Sequence, residues 1–286
     1  MREPFSLNYA WKKGKIGEHR TMPLENPQRL EGGRRLREGA RTQPPLVSIV
    51  TVVFRAAHEL PLLLESILAN RDHDTEWIVI DGGSDDGTLE ILRRYDDAID
   101  YWISESDRGI YDAMNKGIAA ATGKFVLHIN AGDRLLCIPR EELHRCLDEG
   151  VDIACFTVKM AGWGEYRPKL FGLLQRIDNI WHHQGQFYRR SIHPGYDLRY
   201  RVYSDFDCNQ KLVKAGKTVA VFRKVVAEMY TVGASGSGPN KEKLRIVRTN
   251  YGIHYVALAV LWHSAAFVAL RYRLKHVMTW LEHRGK

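Results

Sequence analysis

Short polar side chains follow apolar stretches of the chain, at points where buried strands usually end. Asp81 and Ser84 come after one such stretch, Asn130 and Asp133 come after another, and Thr51 lies within the first. A carboxylate with a neighbouring amide oxygen can hold a divalent cation, which stabilises a departing diphosphate without proton transfer. Asp133 and Asn130 are placed for that task. Thr51, Asp81 and Ser84 are suited to hold a nucleoside next to it.

A second group of residues could act as a base. Asp205 and Asp207 stand just before a helix predicted over residues 208–215. A hydroxyl group that attacks a sugar must lose its proton, and one positioned carboxylate can accept it. From the residues alone, both aspartates are candidates for this general base.

Three apolar runs must position these side chains. They cover residues 47–54, 77–80 and 125–129, and they are short and rich in β-branched residues. Such runs are typical of fully buried parallel strands. Helical periodicity between them predicts an α/β fold with a mostly parallel sheet flanked by helices. Ligands bind at the carboxyl ends of the strands in such sheets, which is where the polar residues lie.

The ordered set of motifs resembles family 2 glycosyltransferases with the GT-A fold, which is Rossmann-like. The segments that carry the resemblance are residues 47–54, 79–88, 104–117, 130–133, 183–184 and 204–207. Together they extend over about residues 45–235, and the run from Asp107 to Gly117 is the most specific. The subgroup that the chain resembles most builds exopolysaccharides of the colanic-acid type.

The resemblance implies an inverting transfer from a UDP- or GDP-linked sugar, with Mg or Mn as the cation. Asp205 matches the catalytic base of the family, and Asp133 with Asn130 stands at its metal-binding motif. Gly233-Ala234-Ser235 resembles a loop that closes over the diphosphate. The residues implied around the donor are Thr51, Val53, Asp81, Ser84, Arg108 and Asp112.

The chain departs from the family pattern at several motif positions. Asn130 replaces the first aspartate of the metal motif, and Asp133 comes one position later than its last acidic residue, where Gly132 stands. Gly82 replaces a second aspartate that often contacts the base of the nucleotide. Ser204 replaces the glutamate that precedes the catalytic aspartate. These differences leave the nucleotide and the full metal-ligand set open.

Two further side chains have alternative interpretations. Arg108 could bind the diphosphate, or it could pair with Asp112 four residues on, a common helical pairing. His183 could bind a metal or a phosphate, or it could be a hydrogen-bonded structural histidine.

The sequence divides into three parts. Residues 1–45 lack apolar periodicity and are expected to be a basic, mostly disordered extension. Residues 46–240 form the predicted transferase domain, with a nucleotide-sugar half over 46–135 and an acceptor half over 136–240. Residues 241–286 form a C-terminal helical segment with an apolar stretch, 253–270, which is marginal in length for a membrane span.

The positive charge of the chain lies at its two ends. Of the formal net charge of +8, residues 1–45 carry ten basic and five acidic residues, and residues 271–286 carry five and one. This distribution favours an anionic membrane surface over nucleic acid as the partner. We therefore expect a cytoplasmic protein at the inner face of the cell membrane, with residues 253–270 lying in the membrane interface or packed on protein.

Other functions fit the sequence less well. No GxGxxG motif follows the first strand, which disfavours a dinucleotide-dependent dehydrogenase. The residues after that strand are not the Gly-rich basic loop of a nucleotidyltransferase. The four cysteines form no CxxC pair, which disfavours a zinc site and fits reduced thiols. A catalytically inactive nucleotide-sugar-binding protein on the same fold is the remaining alternative.

Overall fold

The computed structural model describes residues 29–39, 41–162, 164–170, 172–230 and 241–264. The predicted loop at Gly233-Ala234-Ser235 and residues 265–286 lie outside these ranges. The strands are β1 (Leu30–Gly32), β2 (Val47–Val53), β3 (Thr75–Asp81), β4 (Tyr101–Ser104), β5 (Phe125–His128), β6 (Asp133–Leu135), β7 (Ile153–Met160), β8 (Gly164–Tyr166), β9 (Gln186–Arg189) and β10 (Val219–Met229). The helices are α1 (Arg34–Glu38), α2 (Leu60–Asn70), α3 (Thr88–Arg94), α4 (Ile110–Ala120), α5 (Arg140–Asp148), α6 (Leu174–Ile177), α7 (Ser204–Lys214), α8 (Lys241–Tyr251) and α9 (Ile253–His263).

One large sheet runs through the described part of the molecule. Its strand order is β1-β4-β3-β2-β5-β9-β7-β10-β6, with β8 beside β7. The central strands β4, β3, β2 and β5 are parallel, and so are β7 and β10. Strand β9 runs antiparallel to both β5 and β7 and so joins the two groups. The predicted α/β fold with a central parallel sheet flanked by helices is confirmed.

Helices cover both faces of this sheet because the central strands are apolar on both sides. Helices α2, α3 and α5 bury their apolar residues on one face, together with Ile49 and Trp77 of the sheet. Helices α4 and α7 bury theirs on the other face, with Val50 and Ile78. The alternation of side chains along β2 sends Ile49 and Val50 to opposite cores, as a strand period of two requires.

The segment before β2 is ordered where the sequence predicted disorder. Strand β1 pairs antiparallel with β4 and covers that edge of the sheet. Arg35 of α1 binds the buried carboxylate of Glu76 at 2.6 Å, and Arg34 binds Asp100 at the same distance. The prediction of a disordered extension over residues 1–45 is therefore wrong for residues 29–39, because buried acidic partners fix their arginines.

The C-terminal helices α8 and α9 pack beside α7. Ile246 and Val247 of α8 form a small core with Phe206, Tyr200 and Tyr203. Within the described residues, no helix is both long and apolar enough to cross a membrane.

Candidate active site

The register of the parallel strands brings three strand ends to one edge of the sheet. Val53 of β2 lies opposite Asp81 of β3, and Asp81 lies opposite Ser104 of β4. The backbone N–H of Gly82 donates to the Val53 carbonyl at 2.9 Å. The predicted convergence of polar residues at this edge is what the structure contains.

Asp81 organises the turn that follows β3. Its carboxylate accepts hydrogen bonds from the backbone N–H and the hydroxyl of Ser84, and from the Ser104 hydroxyl at 2.6 Å. The Ser84 hydroxyl in turn accepts the backbone N–H of Arg55 at 2.8 Å. Asp81 and Ser84 thus lie together, and their role in holding a nucleoside stays a prediction.

The side chains of Thr51 and Val53 are buried in the core and do not reach the strand-end site that the sequence predicted for them. The Thr51 side chain is fully buried and accepts a hydrogen bond from the indole N–H of Trp77 at 3.0 Å. The Val53 side chain is packed in the core of the same face. The Thr51 side chain therefore lies beneath the strand-end site, which corrects the expectation that it contacts the nucleoside; Val53 offers only its backbone there.

Gly82 stands where the family often has an aspartate, and the structure gives a physical reason. A Cβ atom at position 82 would lie 2.6 Å from Oδ2 of Asp107 and 3.2 Å from the ring of Phe54. Asp107 therefore places a carboxylate in the space that a side chain at position 82 would fill. Burial, with the charge of Asp81 nearby, raises the pKa of Asp107 above its ordinary value. Phe54 is more than half exposed beside it.

Asn130 and Asp133 are joined by a tight turn. The backbone N–H of Asp133 donates to the Asn130 carbonyl at 3.1 Å, and Gly132 has a φ of 87°. A turn of this kind requires positive φ at its third residue, which favours glycine there. The glycine that interrupts the metal motif is thus explained by the backbone, and it places the carboxylate one residue later.

The Asp133 carboxylate is deeply buried. Burial raises its pKa to about 6, and a hydrogen bond from the Gln184 amide at 3.1 Å offsets part of this effect. Two buried oxygens nearby, Oδ1 of Asn130 and Oε1 of Gln184, accept no hydrogen bond in the described structure.

These oxygens fit a hard divalent cation such as Mg or Mn, which prefers oxygen ligands. The described residues contain no group of three or more His, Cys, Asp or Glu side chains that could hold a metal by themselves. Magnesium commonly completes such a site with phosphate oxygens of the substrate and water. Asp133 and Asn130 are thus suited to a cation that arrives with a diphosphate.

Asp205 lies in the first turn of α7, which begins at Ser204 and not at Cys208 as predicted. Its carboxylate accepts hydrogen bonds from the Asn179 amide at 3.1 Å and from the Tyr111 hydroxyl at 3.0 Å. Burial by itself would raise the pKa of Asp205, but the contacts with His183 and Asn179 hold it below its ordinary value. The carboxylate is therefore ionised at neutral pH and able to accept a proton.

His183 lies between the two acidic centres. Its Nδ1 is 3.7 Å from Asp205, and its Nε2 is 3.2 Å from the amide nitrogen of Asn130. If the Asn130 amide donates to Nε2, the ring proton is on Nδ1 and faces Asp205. The imidazole thus connects the oxygen cluster at Asn130 to the candidate base.

Asp207, the second candidate base, has a structural environment. Its side chain is 1% exposed and pairs with Lys211 at 2.6 Å. Asn250 of α8 donates to its other oxygen at 2.9 Å. These partners tie α7 to α8, which leaves Asp205 as the carboxylate that faces the strand-end site.

Arg108 and Asp112 form the pair that the sequence offered as the alternative to phosphate binding. Two nitrogens of the Arg108 guanidinium lie 3.2 and 2.9 Å from the Asp112 carboxylate. Burial alone would raise the pKa of Asp112, but the contacts with Arg108 outweigh it and hold this pKa below its ordinary value. Both residues stand at the start of α4, directly after the end of β4. The Arg108 side chain remains 67% exposed, so a role in binding a diphosphate stays a prediction.

Helix α4 also attaches the second half of the domain. Asn115 donates to the Tyr196 carbonyl at 2.9 Å and accepts the Tyr196 N–H at 2.7 Å. One turn earlier, the single proton of the Tyr111 hydroxyl has two acceptors within reach, the Val202 carbonyl at 2.8 Å and the Asp205 carboxylate at 3.0 Å. Both side chains belong to the most specific motif, but nothing in their spacing indicated a partner so distant in the chain.

Comparison with known proteins finds one matching family profile and several glycosyltransferases. The sequence profile described as "Glycosyl transferase family 2" matches residues 48–210. A PGL/p-HBAD biosynthesis glycosyltransferase of Mycobacterium bovis is 32% identical over 234 residues, which are 76% of this chain and 90% of that protein. A cholesterol galactosyltransferase of Borreliella burgdorferi is 29% identical over 112 residues, 38% of this chain and 31% of that protein.

Solved structures share the fold at low sequence identity. S. aureus TarS 1-349 in complex with UDP-GlcNAc superposes with a TM-score of 0.56 at 14% identity, covering 78% of this chain and 71% of that one. This chain spans 41% of the full TarS chain. A mannosyltransferase from Pyrobaculum calidifontis, in complex with GDP-Man and Mn2+, gives a TM-score of 0.50 at 16% identity, with coverages of 85% and 83%.

Proposed function

The chain belongs to glycosyl transferase family 2, and from this we propose that it is an inverting enzyme of surface polysaccharide biosynthesis. Its donor is a nucleotide sugar, UDP- or GDP-linked, and its acceptor is a glycan or a lipid-linked saccharide. The bound ligands of the two solved structures, UDP-GlcNAc and GDP-Man, support the donor class. A relative named for cholesterol supports a lipid-linked acceptor.

The observation that carries this proposal is the environment of one carboxylate, that of Asp205. It is buried, held by Asn179 and Tyr111, and close to His183, which in turn contacts the oxygen cluster of Asn130. A base in this place can accept the acceptor's proton while the nucleotide is held at the strand ends.

The proposed reaction is a single displacement at the anomeric carbon. The acceptor oxygen forms the new bond as its proton passes to Asp205, and the bond between the anomeric carbon and the diphosphate breaks with both electrons on the departing oxygen. Attack opposite the leaving group inverts the anomeric configuration. Asp81, Ser84 and Asp107 line the edge where the nucleoside is proposed to sit.

The leaving diphosphate gains negative charge as it departs. We propose that Asp133 and Asn130 hold the Mg or Mn ion of the donor complex, and a bound cation stabilises that charge as a Lewis acid. Arg108 stands at the start of α4, where its exposed guanidinium could add a second positive charge to the same phosphates. The reaction is proposed at the cytoplasmic face of the cell membrane, in line with the four free thiols.

Replacing Asp205 with Asn tests this assignment. The variant keeps the shape of the side chain and one acceptor oxygen but cannot accept a proton, so transfer should fall by a factor of at least about 100. Binding of the nucleotide sugar, followed by calorimetry with Mn present, should stay near the wild-type value. Asp207→Asn is the matched control, since its carboxylate binds Lys211 and Asn250 and should affect stability more than turnover.

Two outcomes would count against the proposal. Wild-type turnover of Asp205→Asn would move the base elsewhere. A wild-type protein that binds nucleotide sugars tightly, yet neither transfers nor hydrolyses them with any acceptor tested, would favour the inactive binding protein.

A further inference from the structure

Helix α9 presents an apolar face to the solvent. Its exposed large side chains are Ile253, Leu258, Val260 and Leu261, which are 60, 39, 47 and 57% exposed. At about 100° per residue they lie within one half of the helix circumference, and the buried Ala259 lies on the opposite half. The exposed His254 lies on the same half of the helix, and the other exposed residues of this half are apolar. An exposed apolar face of this kind marks a surface that meets another apolar phase or partner.

Basic side chains accompany this face. Lys241, Arg245 and Arg248 are exposed and follow the i, i+4, i+7 spacing along one side of α8, the helix packed against α9. The chain continues past α9 with six apolar residues, 265–270, and then carries five basic residues and one acidic residue over 271–286. Apolar and basic residues in this arrangement are typical of elements that lie in the surface of an anionic bilayer.

We propose that the exposed face of α8 and α9, here termed the α8–α9 face, binds the surface of an anionic lipid bilayer. A second copy of the chain is a poorer occupant, because a symmetric contact would bring Lys241, Arg245 and Arg248 of two copies together. The basic residues instead complement anionic headgroups, while Leu258 and Leu261 enter the boundary of the acyl chains.

The α8–α9 face is connected to the candidate base from two sides. Glu242 of α8 accepts the backbone N–H groups of residues 201–203, directly before α7, at distances of 2.7 to 3.1 Å. Lys243 and Trp262 both bind Asp178, whose neighbour Asn179 donates to Asp205. The bilayer surface would therefore lie on the acceptor side of the site. On the proposed function, this favours an acceptor whose hydroxyl is anchored in that same membrane.

Vesicle co-sedimentation of the full chain tests the surface without relying on activity. The vesicles contain equal amounts of phosphatidylcholine and phosphatidylglycerol, and phosphatidylcholine alone serves as the neutral comparison. The double variant Leu258→Asp, Leu261→Asp should bind the mixed vesicles at least about tenfold more weakly. Leu36→Asp is the matched control: Leu36 is 54% exposed on α1 at the opposite edge of the sheet, and its variant should bind like the wild type.

A second variant tests the electrostatic part. Changing Lys241, Arg245 and Arg248 together to Gln should weaken binding to the mixed vesicles and leave the weak binding to phosphatidylcholine unchanged. Wild-type binding by the leucine variant would overturn the proposal. So would a lipid-free dimer, seen by sedimentation velocity, that this variant dissociates, because the face would then be a contact between copies.

The two proposals can fail separately. Melting curves and nucleotide-sugar binding of each variant should match the wild type, which shows that the fold and the donor site are intact. Vesicle binding by a wild-type protein that has no transferase activity would retain the membrane surface and reject the function. Transferase activity on a soluble acceptor without vesicle binding would retain the proposed function and reject the membrane surface.

Discussion

At the scale of single residues, the site depends on how buried carboxylates are stabilised. Asp205 accepts hydrogen bonds from Asn179, Tyr111 and the backbone N–H of Phe206, has a nearby imidazole, and its pKa is lowered. Asp133 has one donor and a raised pKa. The fold therefore keeps the Asp205 carboxylate ionised, and it opposes ionisation of the Asp133 carboxylate until a cation binds there.

Replacing Asp133 with Asn should stabilise the protein in the absence of substrates. The pKa of Asp133 is raised from 3.8 to about 6, so the fold opposes its ionised form. This destabilisation is absent below pH of about 4 and complete above about 6, where the variant should gain up to about 3 kcal/mol in the free energy of unfolding. Denaturant melts at pH 4 and pH 8 measure the difference. Equal stabilities at pH 8 would contradict the burial argument, and Mn-dependent donor binding should weaken in the same variant.

Tyr111 should act as a positioning residue for Asp205. Tyr111→Phe removes a hydrogen bond to a charged group, worth about 1.5–3 kcal/mol, so we expect kcat to fall by at least about tenfold. The KM of the donor should change little. The acid limb of the kcat profile should move to higher pH, because a carboxylate that loses a donor binds its proton more tightly. Tyr101→Phe, at the far edge of the sheet, is the control. A uniform loss of activity without a shift in the pH profile would indicate a merely structural role.

At the scale of elements, the short segment before β2 completes the sheet. Strand β1 and helix α1 cover the edge at β4, and their arginines bind the buried carboxylates of Glu76 and Asp100. Removing one partner of a buried ion pair leaves an uncompensated charge, which is strongly destabilising.

Two truncations should separate the parts of the N-terminal segment. Removing residues 1–28 leaves every contact that the structure describes for β1 and α1 in place, so the melting temperature should stay within a few degrees of that of the full chain. Removing residues 1–41 takes Arg35 from Glu76 and leaves Asp100 with Arg71 alone, at 3.4 Å. It should lower the free energy of unfolding by at least about 3 kcal/mol. Equal melting temperatures of the two truncated proteins would show that the ordered segment contributes little.

The sequence predicted the strand ends but not the surroundings of the base, and the reason is physical. Asp81, Ser84 and Asp133 follow apolar runs, and each run predicts a strand from its own residues alone. Asn179 and Tyr111 meet Asp205 only through tertiary packing, across 26 and 94 residues of the chain. The sequence predicts Thr51 at the nucleoside, whereas its hydroxyl is buried and accepts the indole N–H of Trp77. The alternation of residues along a strand does not indicate such a buried hydrogen bond. The sequence of residues 29–39 predicts disorder because this segment is held by ion pairs, and ion pairs produce no apolar periodicity that would predict a helix or strand.

At the scale of the whole molecule, the two halves of the domain meet on one helix. Helix α4 belongs to the nucleotide half, and it holds the segment before α7 through Asn115 and Tyr111. The α8–α9 unit supports the same segment from the other side through Glu242. The position of Asp205 is thus set jointly by both halves.

Asn115→Ala should loosen this junction. The variant leaves the N–H and the carbonyl of Tyr196 without their partner, and we expect a loss of about 1–3 kcal/mol in the free energy of unfolding. Transfer should fall more than donor binding, because the strand ends do not depend on this contact. Comparing donor affinity by calorimetry with kcat for transfer tests the distinction. A loss of donor affinity equal to the loss of kcat would show that the halves are not separable.

The arrangement at Gly82 and Asp107 has an evolutionary consequence. The space between the loops that follow β3 and β4 holds one carboxylate, and either loop could supply it, since a Cβ at position 82 would lie 2.6 Å from the Asp107 oxygen. Related chains should therefore show the two positions changing together, with an acidic side chain at one and a small residue at the other. A lineage could move the acidic side chain from the loop after β3 to the loop after β4 only through an intermediate that has it in neither loop or in both. A search for the ancestral motif at position 82 alone would then misjudge chains such as this one as degenerate.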